Sequence, residues 1–169
     1  SVAGLFQRVQ EGARIEDLNV SGSVKASSAC EAAGGLAGRN EGEIENCSFS
    51  GSVSGSSTTG GLVGENTASG VIRASKSGGA VTGSKMTGGI VGSSRGKIVD
   101  CVNGAYVNTV SGDQAISLEN VNLDFSLDMT KLTTGDALLS SYDTGGITGY
   151  NAGTIRACEN RAIVGYQHV

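Results

Sequence analysis

Residues 34–55 read GGLAGRNEGEIENCSFSGSVSG, and versions of this stretch recur along most of the chain. The second glycine of each copy stands at Gly35, Gly61, Gly89 and Gly146, and a weaker copy begins at Gly4. The spacings between the four glycines are 26, 28 and 57 residues, so the last is about two periods. A repeat every 26–29 residues is typical of solenoids, propellers and repeat arrays, and it decides the fold.

Two apolar columns keep their register with these glycines. The first holds isoleucine in every copy, and the second holds valine nine residues later: Ile15, Ile44, Ile72, Ile98 and Ile155, then Val24, Val53, Val81, Val107 and Val164. The residue after each isoleucine varies in character: Glu16, Glu45, Arg73, Val99 and Arg156. A constant apolar position faces the interior and a variable charged one faces solvent, so the two columns are predicted to form interior ladders.

Each period contains three short β-like segments, which in the copy at Gly34 are residues 36–37, 43–47 and 52–54. Segments this short gain stability only when each copy stacks on the next. The sequence therefore predicts an all-β, right-handed parallel β-helix of five to six rungs, a rung being one turn of the coil. The alternative is a β-sandwich of hairpins, which needs longer runs of alternation and two-residue turns.

The pattern Gly-Gly-Leu-Val-Gly-x-Asn, followed by Gly-x-Ile-x-x-Cys and Gly-x-Val-x-Gly, resembles the GLUG repeat. The resemblance covers about three quarters of the chain, with good copies at Gly34, Gly60, Gly88 and Gly145. That family occurs in large secreted or surface-anchored bacterial proteins, including immunoglobulin A1 metallopeptidases, where it lies outside the catalytic domain. The resemblance implies a repetitive β scaffold in an extracellular protein and brings no catalytic residue with it.

Composition narrows the function classes. Aromatic residues are 4% of the chain, tryptophan and proline are absent, and glycine accounts for 28 of 169 residues, so small aliphatic side chains must fill a narrow interior. The net charge is −4, and the 12 basic residues are scattered, which argues against nucleic acid or an anionic membrane as partner. No apolar run is long enough to span a bilayer. We expect residues 1–169 to be a single solenoid domain from a longer protein, with the flanking domains of that protein as partners.

The four cysteines are Cys30, Cys47, Cys101 and Cys158. Three of them share one inward column with Ser75, and Cys47 and Cys101 would lie two rungs apart, about 9.6 Å, too far for a disulfide. The sequence therefore predicts buried free thiols. The Gly-Gly-Leu-Val-Gly-Glu-Asn pattern also resembles a calcium-binding nonapeptide. However, asparagine or serine stands where calcium needs an acid (Asn40, Asn66, Ser94 and Asn151), which favours a structural asparagine turn or ladder.

No arrangement in the sequence indicates catalysis. His168 is the one histidine and lies next to the C-terminal residue, and no zinc-binding pattern or phosphate-binding loop is present. Parallel β-helices do include polysaccharide lyases and hydrolases, but these require clustered carboxylates and bases on neighbouring rungs. We predict that the protein is not an enzyme and uses no cofactor or metal.

Residues 108–144 break the period. From Val107 to Gly146 the chain runs 39 residues, against 8 from Val53 to Gly61. The excess of 31 residues is close to one period, which favours an additional, strand-bearing rung with a protruding connection at residues 127–143. The alternative is a loop excursion. The segment contains a candidate binding loop, since binding residues concentrate on loops: Asp128, Asp136, Leu138, Tyr142 and Asp143.

The sequence thus predicts a non-catalytic repeat module of a bacterial cell-surface or secreted protein. It would act as a stalk or spacer, or as an adhesion scaffold for a host protein or glycan. A stalk predicts featureless outer columns, whereas an adhesin predicts an exposed patch on a long loop. The alternative functions are a carbohydrate-active β-helix enzyme and an accessory domain of a secreted metallopeptidase.

Overall fold

The computed structural model describes residues 1–109 and 143–165. In these residues the chain forms twenty β-strands and no helix. The strands belong to four five-stranded sheets, and every neighbouring pair is parallel. Each turn of the coil contributes one strand to each sheet, so five rungs stack, and we number them 1 to 5 in chain order. The predicted all-β parallel solenoid is confirmed, and its right-handed sense stays a prediction.

The first two sheets meet at the Gly-Gly pair of each repeat. Sheet A consists of β1 (Val2–Ala3), β5 (Ala32–Gly34), β9 (Thr58–Gly60), β13 (Met86–Gly88) and β17 (Asp143–Gly145). Sheet B consists of β2 (Phe6–Val9), β6 (Ala37–Asn40), β10 (Val63–Asn66), β14 (Val91–Ser94) and β18 (Thr148–Asn151).

The other two sheets carry the isoleucine and valine columns. Sheet C consists of β3 (Arg14–Glu16), β7 (Glu43–Glu45), β11 (Val71–Arg73), β15 (Lys97–Val99) and β19 (Thr154–Arg156). Sheet D consists of β4 (Asn19–Lys25), β8 (Ser48–Ser54), β12 (Lys76–Thr82), β16 (Val102–Val107) and β20 (Glu159–Asn160).

Each rung has four strands, whereas the sequence indicated three segments. The strand that the sequence did not reveal is the one in sheet A, such as Ala32–Gly34. All three of its residues are buried, so it shows no alternation of polar and apolar side chains. The bounds of two predicted segments, residues 36–37 and 43–47, also differ from the strands. Leu36 precedes β6 and Cys47 follows β7, so both residues lie in the corners between strands.

The interior is narrow and filled by ladders of like residues. At the corner between sheets A and B, Leu36, Leu62 and Ile90 stack with no exposed surface. Ile72 pairs in register with Ile44 on one side and Ile98 on the other. These contacts repeat from rung to rung, which explains how a chain with few aromatic residues forms a continuous core.

The turn between sheets C and D depends on one residue per rung in the left-handed conformation. The five residues have φ angles of 50° to 56°: Asp17, Asn46, Ala74, Asp100 and Ala157. Aspartate and asparagine tolerate this region better than other non-glycine residues, which suits three of the five positions. Glycine dominates elsewhere: at Gly60, a Cβ atom would overlap the carbonyl oxygen of Val63 within its own turn.

Rung 5 stacks directly on rung 4 in all four sheets. Ile98 pairs with Ile155, Val102 pairs with Glu159, and Met86 pairs with Asp143. The predicted additional rung between Cys101 and Cys158 is therefore wrong, because these residues lie on adjacent rungs. The prediction failed because the 31-residue excess happens to be close to one period in length.

Candidate functional site

One long connection, residues 109–142, interrupts the repeat, and we call it the excursion. Its base lies where rung 4 leaves sheet D. In rungs 2 and 3, three residues join sheet D to sheet A of the next rung, residues 55–57 and 83–85. The equivalent connection after Asn108 runs from residue 109 to residue 142. The chain then re-enters the ladder in register, since Asp143 follows Met86 and Thr58 in sheet A.

Asn108 closes this base with its side chain. Its φ angle of 50° turns the chain out of sheet D, and its own N–H still donates to the Val81 carbonyl oxygen at 2.8 Å. Its Oδ1 accepts a hydrogen bond from the Gly83 N–H at 2.9 Å, and its Nδ2 donates to Thr144 Oγ1 at 3.0 Å. The two ends of the excursion are thereby held together by one asparagine.

Sequence reasoning missed Asn108 and Thr144 as anchoring residues. Asn108 follows the valine column directly, where rungs 2 and 3 have Ser54 and Thr82. An asparagine at the last position before a long insertion is a signal for a left-handed residue with a capping side chain. Thr144 gives no such signal, because only the folded structure shows that its hydroxyl accepts a hydrogen bond from Asn108.

The predicted binding-loop residues Asp128, Asp136, Leu138 and Tyr142 lie outside the described residues. Asp143 is the first residue of β17 and is exposed, and its N–H donates to the Lys85 carbonyl oxygen at 2.9 Å. Of the five candidates, Asp143 is thus placed at the base of the excursion, one residue from Thr144.

The two predicted ladder columns run the length of the described stack. Ile44, Ile72 and Ile98 have no exposed surface, whereas Ile15 and Ile155 in the first and last rungs are less covered. In the valine column Val53, Val81 and Val107 are buried, whereas Val24 and Val164 are half-buried. Val164 reaches the column through an isolated parallel bridge to Val107.

The asparagine column lies inside the coil and forms a hydrogen-bonded ladder. Asn40 Nδ2 donates to Asn66 Oδ1 at 2.9 Å, and Asn66 Nδ2 donates to Ser94 Oγ at 3.2 Å. Asn40 Oδ1 also accepts from the Gly42 N–H at 3.2 Å, which closes a turn. The structural interpretation of this column is confirmed: these amides have no exposed surface and are occupied by each other and by the backbone.

A second polar ladder crosses sheet D. Ser77 Oγ donates to the Gly89 carbonyl oxygen at 2.6 Å and lies 2.7 Å from Asn103 Oδ1. Asn103 Nδ2 donates to Asn160 Oδ1 at 2.8 Å and to the Ala105 carbonyl oxygen at 2.9 Å. The Ser77 hydroxyl and the buried Asn103 amide therefore join rungs 3 and 4, and Asn103 continues the ladder to the exposed Asn160 of rung 5.

The four cysteines are free thiols; Cys47 and Cys101 are buried as predicted, whereas Cys30 and Cys158 are partly exposed, since Cys158 lies in the last described rung. Burial raises the pKa of Cys101 to about 12, with the neighbouring Cys158 thiol contributing less. The pKa of Cys47 is also raised, chiefly by burial. Cys30 lies outside the column near the chain start, and hydrogen bonds from Ser1 and Ser27 lower its pKa. The buried thiols of Cys47 and Cys101 are poor nucleophiles at neutral pH, because their raised pKa values keep them protonated.

The outer face of sheet D has mostly small polar residues in rungs 1 to 3, with Lys25 and Lys76 at strand ends. The strands β4, β8 and β12 are each seven residues long and pair along their whole length. Ser50 and Ser52 face solvent in β8, and the hydroxyls of Ser23 and Ser52 are 2.8 Å apart. Gly78 and Gly104 continue the Ser50 position in the next two rungs. This face has no clustered charge.

Charged groups concentrate on sheets B and C, where they pair with one another. The Arg39 guanidinium and Glu65 carboxylate are 2.6 Å apart, and both side chains are about three-quarters buried. Arg14 lies 2.6 Å from Glu45 and 3.7 Å from Glu43. The hydrogen bond to Glu45, followed by the charges of Glu43 and Glu16, raises the pKa of Arg14. Opposite charges on successive rungs thus pair over the first three rungs, whereas Arg73, Lys97 and Arg156 of sheet C are exposed.

An open depression lies beside these charges at the corner between sheets B and C. Its lining includes Glu11, Arg14, Glu41 and Glu43. Within the part of the chain that the structure describes, no group of three His, Cys, Asp or Glu side chains is arranged to hold a metal ion. Residues 1–109 and 143–165 also contain no helix with the length and apolarity needed to cross a membrane.

In a comparison with known families, residues 29–54 match the model of the GLUG motif. No curated protein and no solved structure matches the chain. The motif spans β5, β6, β7 and β8, which are the four strands of rung 2. The stretch that matches the motif is therefore one complete turn of this solenoid.

The GLUG motif residues have structural roles in this rung. Its second glycine leaves room for a side chain of sheet D and for the next rung, since a Cβ at Gly35 would overlap the Phe49 ring and the Gly61 carbonyl oxygen. Its asparagine, Asn40, belongs to the buried ladder, and the backbone N–H of its cysteine, Cys47, donates to Ser75 Oγ at 3.1 Å. The motif encodes a stackable turn of the coil.

Proposed function

We propose that this chain is a non-catalytic repeat module of a bacterial cell-surface or secreted protein, and that it acts as an adhesion scaffold for a host protein or glycan. The observation that carries the proposal is the direct stacking of rung 5 on rung 4 despite the long connection between them. Because the ladder continues past the insertion, the solenoid stays intact as a scaffold. The amino-acid sequence of the inserted segment can then change without disturbing the stack.

In this proposal the solenoid is the support, and residues 109–142 are the binding segment. The candidate contact residues are Asp128, Asp136, Leu138 and Tyr142 within the segment and Asp143 at its base. The paired charges and small polar residues on the outer faces leave the rungs without a strong binding feature of their own. The hydrogen bonds of Asn108 to Gly83 and Thr144 would hold the segment at a fixed place on the rod.

The rungs themselves supply the control for a test. Replacing residues 109–142 by Gly-Ser-Lys, the connection found at residues 83–85, would give rung 4 the regular three-residue link. We expect this variant to fold with an unchanged β-type circular dichroism spectrum. We also expect it to lose binding to bacterial-host cell surfaces and glycan arrays that the parent chain binds.

The outcomes separate the functions. Unchanged binding by the folded variant would contradict the adhesion proposal for this segment. If neither chain binds any partner, the second candidate stands: a passive stalk or spacer, which the uniform ladders of the five rungs favour. Failure of the shortened chain to fold would contradict the separation of support and binding segment.

The remaining candidates are an accessory domain of a secreted metallopeptidase and a carbohydrate-active enzyme. The first is compatible with a GLUG motif, because the resemblance places such repeats outside the catalytic domain. The second has no supporting observation in the outer faces, since Arg14 and Arg39 are engaged with glutamates of their own or neighbouring rungs.

A further inference from the structure

Cys101 and Cys158 occupy neighbouring positions in one ladder. The residues three positions before them, Ile98 and Ile155, are paired in sheet C, and the residues after them, Val102 and Glu159, are paired in sheet D. The register on both sides thus places the two cysteines directly opposite each other. The same column has Ser75 between Cys47 and Cys101, so no other two cysteines in the column are adjacent.

The backbone at this point is close enough for a covalent link. The Glu159 N–H donates to the Cys101 carbonyl oxygen at 2.9 Å. Adjacent strands lie about 4.8 Å apart, which is within the roughly 4.4–6.8 Å between Cα atoms that a disulfide spans. Each sulfur lies 3.3 Å from the carbonyl oxygen two residues earlier, in Val99 and Arg156. The two side chains therefore point the same way, and rotation about χ1 turns one sulfur toward the other.

We propose that Cys101 and Cys158 are a redox-sensitive pair that forms a disulfide with a low-molecular-weight disulfide such as oxidised glutathione, and that this bond fastens rung 5 to rung 4. Two thiols and one glutathione disulfide give one protein disulfide and two molecules of reduced glutathione. The two protein sulfurs are oxidised, the two glutathione sulfurs are reduced, and the two thiol protons end on the released glutathione.

The surroundings of the two sulfurs set the order of the steps. Cys158 is partly exposed, whereas Cys101 has no exposed surface. The Cys158 thiolate attacks glutathione disulfide and releases one glutathione, which leaves a mixed disulfide. Cys101 then loses its proton and attacks the Cys158 sulfur, which releases the second glutathione. Burial raises the pKa of Cys101 to about 12, so this second step is the slower one at neutral pH.

The position of the pair explains what the bond would do. The 56 residues between Cys101 and Cys158 include the whole excursion, so the covalent link bypasses it. A crosslink that closes a long loop restricts the unfolded chain strongly. It would hold the last described rung in place while a ligand or a force acts on residues 109–142. The stack would thus be reinforced in an oxidising environment and released in a reducing one.

The test uses the full chain, reduced and then equilibrated in its folded state with oxidised glutathione. After acid quenching and unfolding, thiol titration should show that two of the four thiols are lost. Mass spectrometry of peptides should find the Cys101 peptide joined to the Cys158 peptide. Cys158→Ser should retain the Cys101 thiol under the same conditions. Serine is a suitable replacement because Ser75 occupies this column in rung 3.

A relocated pair provides the matched control. Ser75→Cys in the Cys158→Ser background places a cysteine next to both Cys47 and Cys101, but all three positions are buried. We expect the thiols of this column to remain free, because the variant has no exposed thiol there to make the first attack on glutathione disulfide. Four free thiols after equilibration of the folded parent chain would overturn the proposal. A mixed disulfide with glutathione at Cys158 that never resolves would overturn it as well, as would a bond that involves Cys30 or a second molecule.

Discussion

Ile98 lies directly opposite Ile155 in sheet C, although 57 positions separate them in the sequence. The preceding pair, Ile72 and Ile98, is separated by 26 positions and has the same parallel register. A slip of one residue would turn every interior side chain of rung 5 to the outside, so the apolar columns fix the register wherever the chain returns. The length of the connection has no part in that choice.

The valine column predicts a strong contrast between two substitutions in β8. Val53 is buried in the ladder and Ser50 faces solvent on the same strand. Val53→Asp would place a carboxylate in the dry interior, so we expect it to lower the free energy of unfolding by about 4 kcal/mol or more. Ser50→Asp should change it by about 0.5 kcal/mol or less. Equal urea midpoints for the two variants would show that the strand faces are assigned wrongly.

The asparagine ladder can be tested at an interior and at a terminal rung. Asn66→Ala removes the partners of Asn40 and Ser94 inside the coil, and we expect a loss of about 2–4 kcal/mol. Asn151→Ala is the control, because Asn151 has the same place in rung 5 but is exposed, and its side chain bonds only to Gly153 in this structure. That change should cost about 1 kcal/mol or less. Similar losses in chemical unfolding would contradict a buried amide network.

Two adjacent glycines in β12 predict opposite responses to alanine. Gly79 has a φ angle of 94°, and a Cβ there would overlap the Gly51 carbonyl oxygen of the rung below. Gly79→Ala should therefore destabilise the protein by about 2 kcal/mol or more. A Cβ at Gly78 meets only Ser50 at ordinary contact distances, so Gly78→Ala should be tolerated. A Gly79→Ala variant that melts at the same temperature as Gly78→Ala would contradict the positive φ angle of Gly79 and its close approach to Gly51.

Burial of Cys101 predicts a loss of stability at alkaline pH in the reduced protein. Its pKa is raised from 9.0 to about 12, so between these values the folded state retains a proton that the unfolded state has lost. The contribution is fully present below pH 9 and is lost as the pH rises toward 12. Cys101→Ser should reduce the fall in unfolding free energy over this window, measured with urea at each pH. Cys30→Ser, which changes a thiol with a lowered pKa, should leave the fall unchanged.

The sequence revealed those parts of the fold that repeat as side-chain patterns. The isoleucine and valine columns indicated the stack because each rung requires the same residue at the same interior position. The sheet A strands gave no comparable signal, since all three residues of Ala32–Gly34 are buried and the buried residues in the middle of the next two strands, Thr59 and Thr87, are polar. The left-handed turns were also hidden, because Ala74 and Ala157 adopt a conformation that alanine itself does not favour.

The base of the excursion could be read from the sequence only in part. Spacing showed that residues 108–144 depart from the period, but length alone did not distinguish a rung from a loop. The decision required the pairing of Met86 with Asp143, a contact between distant parts of the chain. The hydrogen bond from Asn108 to Thr144 depends on the same return of the chain and could not be inferred from either residue.

The central claim is that rung 5 stacks directly on rung 4, and one measurement tests it most directly. In a protein with isotope-labelled isoleucine methyl groups, nuclear Overhauser effects report pairs of methyl groups within several ångströms of each other. The ladder predicts cross-peaks between Ile98 and Ile155 of similar strength to those between Ile72 and Ile98. Absence of the Ile98–Ile155 cross-peak, together with cross-peaks from both residues to isoleucine Ile116 of the long connection, would contradict direct stacking.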